Sequence, residues 1–197
     1  MNMKRWMAVV ACCAALLTPL GAWAQAEKEK PKMATPNVPI SPAESFNALL
    51  GQMEKEVVGA ADAMPADKFD FTPSGPGELK GVRSFSGQVK HLAESNYEFF
   101  EGWGIPGAVD SKTIEALKSK DDIMNALRDS YKFAHAAVSS ITGENAFLSL
   151  PWPEAYKATR ASTAAFCMAH SMDHYGQLAL YLRMNGIIPP ASRKGAM

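Results

Sequence analysis

The chain has 197 residues, 20 basic and 20 acidic side chains, four histidines and three cysteines. The charge balance leaves no basic stripe for nucleic acid, and this length suits one domain with a sizeable core. Two of the cysteines, Cys12 and Cys13, lie in the first 24 residues, so beyond that segment no intramolecular disulfide is expected to stabilise the fold.

Residues 1–24 read as an export signal. Lys4 and Arg5 make a positive start, an apolar stretch runs from Trp6 to about Leu20, and Ala22-Trp23-Ala24 supplies a cleavage site. Removal of that segment leaves 173 residues with 18 basic and 20 acidic side chains. The expected mature protein is periplasmic or secreted and carries no membrane span. Residues 25–40, rich in Ala, Glu, Lys and Pro, read as a solvated leader.

The first predicted helix opens at Ser41, with Pro42 at its first position and Glu44 where a capping box requires it. Phe46, Leu49, Leu50, Met53, Val57 and Ala60 repeat at helical spacing, and Pro65 predicts a stop near Ala63. Residues 65–83 are Pro- and Gly-rich and read as a long irregular connection. A second helix is predicted from Ser84 to Phe100, ended by Gly102, Gly104 and Pro106. Thr113–Leu117 reads as a short turn. Ser119 with Asp122 caps a third helix, which carries Ile123, Leu127, Tyr131, Ala134, Val138 and Ile141 to Gly143. Pro151 and Pro153 break the chain, and a fourth helix runs from Arg160 to Asn185, closed by Gly186 and Pro189-Pro190. Residues 191–197 form a tail. No period-2 run persists, so the fold class is all-α: a four-helix bundle over 41–190 whose long connections allow crossovers.

His170 and His174 stand four apart on the last helix. That spacing sets them about 40° apart around the axis and about 6 Å apart along it, close enough to share one ion. His91 lies on another amphipathic helix and could complete a set of three that leaves coordination positions free. The same residues could equally be ordinary surface histidines or buried ones satisfied by protein partners.

The block His170-x-x-x-His174-Tyr175-Gly176-Gln177-Leu178-x-x-Tyr181-Leu182-Arg183, with Gly186 and Pro189-Pro190 after it, resembles the last helix of DinB-like proteins. Met64-Pro65-x-x-Lys68-Phe69 with Phe71-x-Pro73 resembles their first connection, and Ser84-Phe85-x-x-Gln88-Val89-x-His91-Leu92-Ala93 their second helix. The resemblance covers about 42–190. It implies a bundle with one divalent transition metal held by His91, His170 and His174. Nitrogen donors suit Zn or Ni, with Fe or Cu as alternatives. It also implies metal-dependent chemistry on a small molecule, by a hydrolase or a transferase; the alternative is a non-catalytic metal-binding or interaction bundle, including a homodimer.

Around these three, Cys167 is expected to be a small buried hydrophobe, with a fourth-ligand role as the alternative. Asp173, Glu94 and Glu98 fall near the histidine faces, as hydrogen-bond partners or as solvated charges. His135 reads as a surface or edge residue. Trp103 and Trp152 are expected to pack, and Met53, Met124, Met168 and Met184 to fill the core.

Overall fold

The computed structural model describes residues 32–74 and 80–194. The expected export signal, the leader up to residue 31 and the last three residues of the tail lie outside them. The chain divides into units 1–38 and 39–197. In the first, the described residues carry a turn at Pro36 and Asn37, with Asn37 left-handed at φ 62°. The second holds every helix described here.

Helix α1 spans Pro42–Ala63. Ser41 Oγ accepts the Glu44 N–H, and the Glu44 carboxylate accepts the Ser41 N–H at 3.1 Å, a complete capping box. Met64, extended ahead of Pro65, ends it. Helix α2 spans Phe85–Glu98. Its free N-terminal amides are met from outside: Ser84 Oγ takes the Gly87 N–H, and the Phe71 and Phe69 carbonyls take those of Phe85 and Ser86, both at 2.8 Å. The irregular first connection is therefore the cap of α2. Helix α3, Ser111–Glu115, is a single turn capped by Asp110, slightly earlier than the turn expected at 113–117. Helix α4 spans Lys120–Ser139 with Ser119 as its cap.

Helix α5 spans Arg160–Met184, and its end is a Schellman motif. Ile187 N–H reaches the Leu182 carbonyl at 2.9 Å and Gly186 N–H that of Arg183 at 3.0 Å. Gly186 sits at φ 74°, which a side chain would strain. Among the described residues there is no strand beyond an isolated bridge between Ser149 and Thr159. No helix among them is long and apolar enough to cross a membrane.

The bundle closes through four seams: α1 with α4, α4 with α2, α2 with α5, and α5 with α1. Consecutive long helices, α1 with α2 and α4 with α5, therefore lie across diagonals. The connections 64–84 and 140–159 span these diagonals, while 99–119, equally long, joins the seam neighbours α2 and α4 and carries α3. The core is built from Leu50 and Val57 on α1, Phe85, Val89 and Leu92 on α2, Met124, Leu127 and Tyr131 on α4, and Met168, Leu178 and Leu182 on α5. Each large apolar side chain removed from water this way contributes roughly 1.5–3 kcal/mol. Two expected core residues face outward: Leu49, 44% exposed, because its neighbour Leu50 takes the inward direction, and Met184, 49% exposed, because it lies in the last turn of α5. The α2–α5 seam is the least extensively packed of the four, and it carries the three histidines.

Candidate metal centre

The rings of His91, His170 and His174 converge across that seam. Their centroids are 5.2 Å (91 to 170), 4.8 Å (91 to 174) and 4.5 Å (170 to 174) apart. One nitrogen from each lies within 4.8 Å of the other two. Metal–nitrogen bonds of about 2.1 Å would require each nitrogen to move inward by less than about 1 Å. Two helical turns of α5 and one position of α2 thus supply a three-nitrogen set.

The donor atom of His174 follows from its hydrogen bonds. Asp173 is a carboxylate and can only accept, so Gln177 Nε2 turns toward its Oδ2, at a long 3.4 Å. Gln177 Oε1 then accepts from Gln88 Nε2 at 2.7 Å, which leaves Gln88 Oε1 to face His174 Nδ1 at 2.6 Å. An amide oxygen needs a donor there, so Nδ1 carries the proton and Nε2 keeps its lone pair. His174 is 5% exposed, and the chain of amides holds its ring in one tautomer. His170 Nε2 is buried without any hydrogen-bond partner beside the other two rings. A buried polar atom left unmatched costs about 1–3 kcal/mol, and a cation at the centre of the three rings would remove that cost. The donor set fits a divalent transition metal.

Electrostatics keeps the set in its binding form. Burial lowers the His174 pKa to about 4, with the neighbouring His170 and His91 adding to the effect. His91 is lowered by burial, then by Arg83 and His170; His170 is lowered by burial, with Arg83 adding and Asp173 and Glu98 opposing. Neutral imidazoles are what metal coordination requires.

Two different walls flank the histidines. On one side Phe99 lies edge-on to His170 at 5.2 Å and to Phe166 at 5.3 Å, and Phe166 is 55% exposed. On the other, Gln88 and Gln177 also line a cavity of about 520 Å³ bounded by Val82, Arg83, Leu180 and Met184. None of the three histidines lines this cavity, nor the separate one of about 410 Å³ beside Tyr97 and Phe133.

Cys167 stands apart from the cluster. Its Sγ lies 3.5 Å from Asn96 Oδ1 inside the bundle, and burial pushes its thiol up to about 12, so it packs as a neutral group. Asp173 is linked to His174 by hydrogen bonds through Gln177 and Gln88, and its charge partly offsets the lowering of the His174 pKa. Glu98 accepts from Ser111 Oγ at 3.1 Å, and Glu94 is raised by burial, then by Glu115 and Glu98. His135 is half-buried on the α1–α4 seam, well tied into it. Trp103 is buried, with the Arg160 guanidinium 4.4 Å from its ring centre, while Trp152 is half-buried. The residues that sequence reasoning passed over are Gln88, Gln177 and Arg83. A signal existed for the two amides: Gln88 is three before His91 and Gln177 three after His174, each on its histidine's face.

No curated protein matches the chain. A family does: the DinB superfamily profile matches residues 49–178, from within α1 to beyond His174. A match over most of the chain, on an all-helical bundle that gathers three histidines between two of its helices, establishes that this chain belongs to the DinB superfamily.

Proposed function

We propose that this is an exported protein that holds one divalent transition metal, Zn or Ni in first place, on His91, His170 and His174. Its reading as an enzyme follows from the openness of the set: three protein ligands leave positions for a small-molecule substrate, as a hydrolase or transferase needs. The observation that carries the proposal is the unpartnered, buried Nε2 of His170 among two other low-pKa imidazoles.

A divalent ion supplies Lewis acidity at its free positions when bound. This chain's residues do the rest. Gln88 orients His174 and keeps the proton on Nδ1. Phe99 and Phe166 shield His170 from water on their side, which strengthens charge interactions at the centre. The cavity beyond Gln88 and Gln177 offers room for the body of a substrate, within the usual size of small-molecule sites.

The test is elemental analysis of purified protein after incubation with Zn²⁺ or Ni²⁺. Close to one ion per chain is expected in the wild type, and none in the double variant His170→Ala with His174→Ala, whose helix content by circular dichroism should persist. A wild-type protein that stays empty after both incubations rejects the proposal.

A further inference from the structure

Arg83 is the one charged side chain among the described residues lining the 520 Å³ cavity beside the histidines. Its backbone is fixed: it directly precedes the Ser84 cap of α2, and its carbonyl accepts the Tyr181 hydroxyl of α5 at 3.2 Å. Its side chain is directed as well. A Cβ added to Gly87 would meet Arg83 Cβ at 3.5 Å and Ser84 Oγ at 3.2 Å, so the arginine stem lies over a residue that has no side chain. Arg83 lies just ahead of the cap, outside the helix, and its stem folds back over Gly87 in the first turn. The guanidinium makes no hydrogen bond or ion pair with any described residue; the bond to Tyr181 is made by the backbone carbonyl.

An exposed guanidinium with no partner among the described residues, at the mouth of a cavity next to a cation-binding centre, is free to pair with an anion that enters the cavity. A bound metal on three neutral imidazoles would carry its full charge, and Arg83 would add to it. The cavity that Arg83 lines is otherwise mostly apolar along Val82, Leu180 and Met184, and it meets the centre through the amides of Gln88 and Gln177, of which Gln88 is hydrogen-bonded to His174. A guanidinium fork matches a carboxylate in two parallel hydrogen bonds, and one arginine charge is balanced by one carboxylate.

We infer that Arg83 is a substrate-anchoring residue, and that the small molecule taken by this centre is an organic monocarboxylate with an apolar body lying along Val82, Leu180 and Met184. This inference rests on the metal-centre reading and adds the substrate class to it.

The probe is phenylacetate, with phenylacetamide as its uncharged counterpart, titrated into cobalt-loaded protein by calorimetry and by the visible cobalt spectrum. Phenylacetate should bind and perturb the spectrum, and phenylacetamide should bind at least about tenfold more weakly. Arg83→Gln should weaken phenylacetate by a similar factor at an unchanged cobalt content, and Arg83→Lys should fall between. Arg83 is exposed, so both variants should fold as the wild type does. Equal phenylacetate affinity in wild type and Arg83→Gln, or equal affinity for acid and amide, overturns the inference and leaves the metal centre standing. A wild-type protein that takes up no cobalt overturns both, and the cobalt count tells the two failures apart.

Discussion

Two seams of the bundle carry histidines, and they treat them in opposite ways. On the α1–α4 seam both nitrogens of His135 have protein partners. Nδ1 lies 2.6 Å from Asn47 Oδ1 and Nε2 lies 3.1 Å from Glu54 Oε2. Asn47 is itself held, its Nδ2 donating to the Ala43 carbonyl at 3.0 Å and to Ser139 Oγ at 2.9 Å. On the α2–α5 seam three imidazoles crowd together, one with a buried nitrogen that nothing in the protein satisfies. A histidine whose valences are filled is part of the scaffold. A cluster whose nitrogens are left open, and whose charged forms are suppressed, is prepared for something else.

The contrast breaks most visibly with acid. His174 is lowered to about 4 from an ordinary 6.5, so between those values the unfolded chain holds more protons than the native one. Stability is then full above about pH 6.5 and declines as the pH falls toward 4; the native nitrogen of His174 itself takes up a proton only near the lower end, so metal should be held through most of that window and lost as the pH falls to about 4 and below. Metal analysis after dialysis at stepped pH measures this, and loss of the metal already near pH 6.5 would contradict the placement of neutral imidazoles at the centre.

A smaller effect isolates the amide chain. Gln88→Leu keeps the approximate volume and removes the acceptor for His174 Nδ1–H, so metal affinity should drop by about 10–100-fold by competition with a chelator. Unaltered affinity would mean that Gln88 does not set the His174 tautomer. The smallest effect belongs to the other seam. His135→Ala should cost about 1 kcal/mol in urea unfolding, because Asn47 and Glu54 lose a partner that water replaces only in part. Its metal content should be unchanged; a loss of metal there would erase the distinction between the seams.

Much of the bundle was legible because its signals are local. Ser41 with Glu44, Ser119 with Asp122, and Gly186 at the end of α5 act within a few residues of themselves, and the helices start and stop where those residues require. The i, i+4 spacing of His170 and His174 is likewise a property of one helix. Leu49 and Met184 were misjudged because apolar spacing tells which residues share a face of the helix, and only packing tells how far around that face burial extends. On α5 the pattern is further blurred, since Thr163, Ser171 and His174 are polar yet face inward.

By itself the sequence determined the helices, their caps and the pair of histidines one turn apart, because hydrogen bonding within a helix reaches only three or four residues. Tertiary structure alone decided that α2 and α5 share a seam, that the rings of His91, His170 and His174 come together there, that Asp173 reaches His174 through two amides, and that Arg83 shares a cavity with those amides. Those relations join residues some 80 to 90 positions apart, and no local pattern specifies which inward faces meet when helices fold across a diagonal.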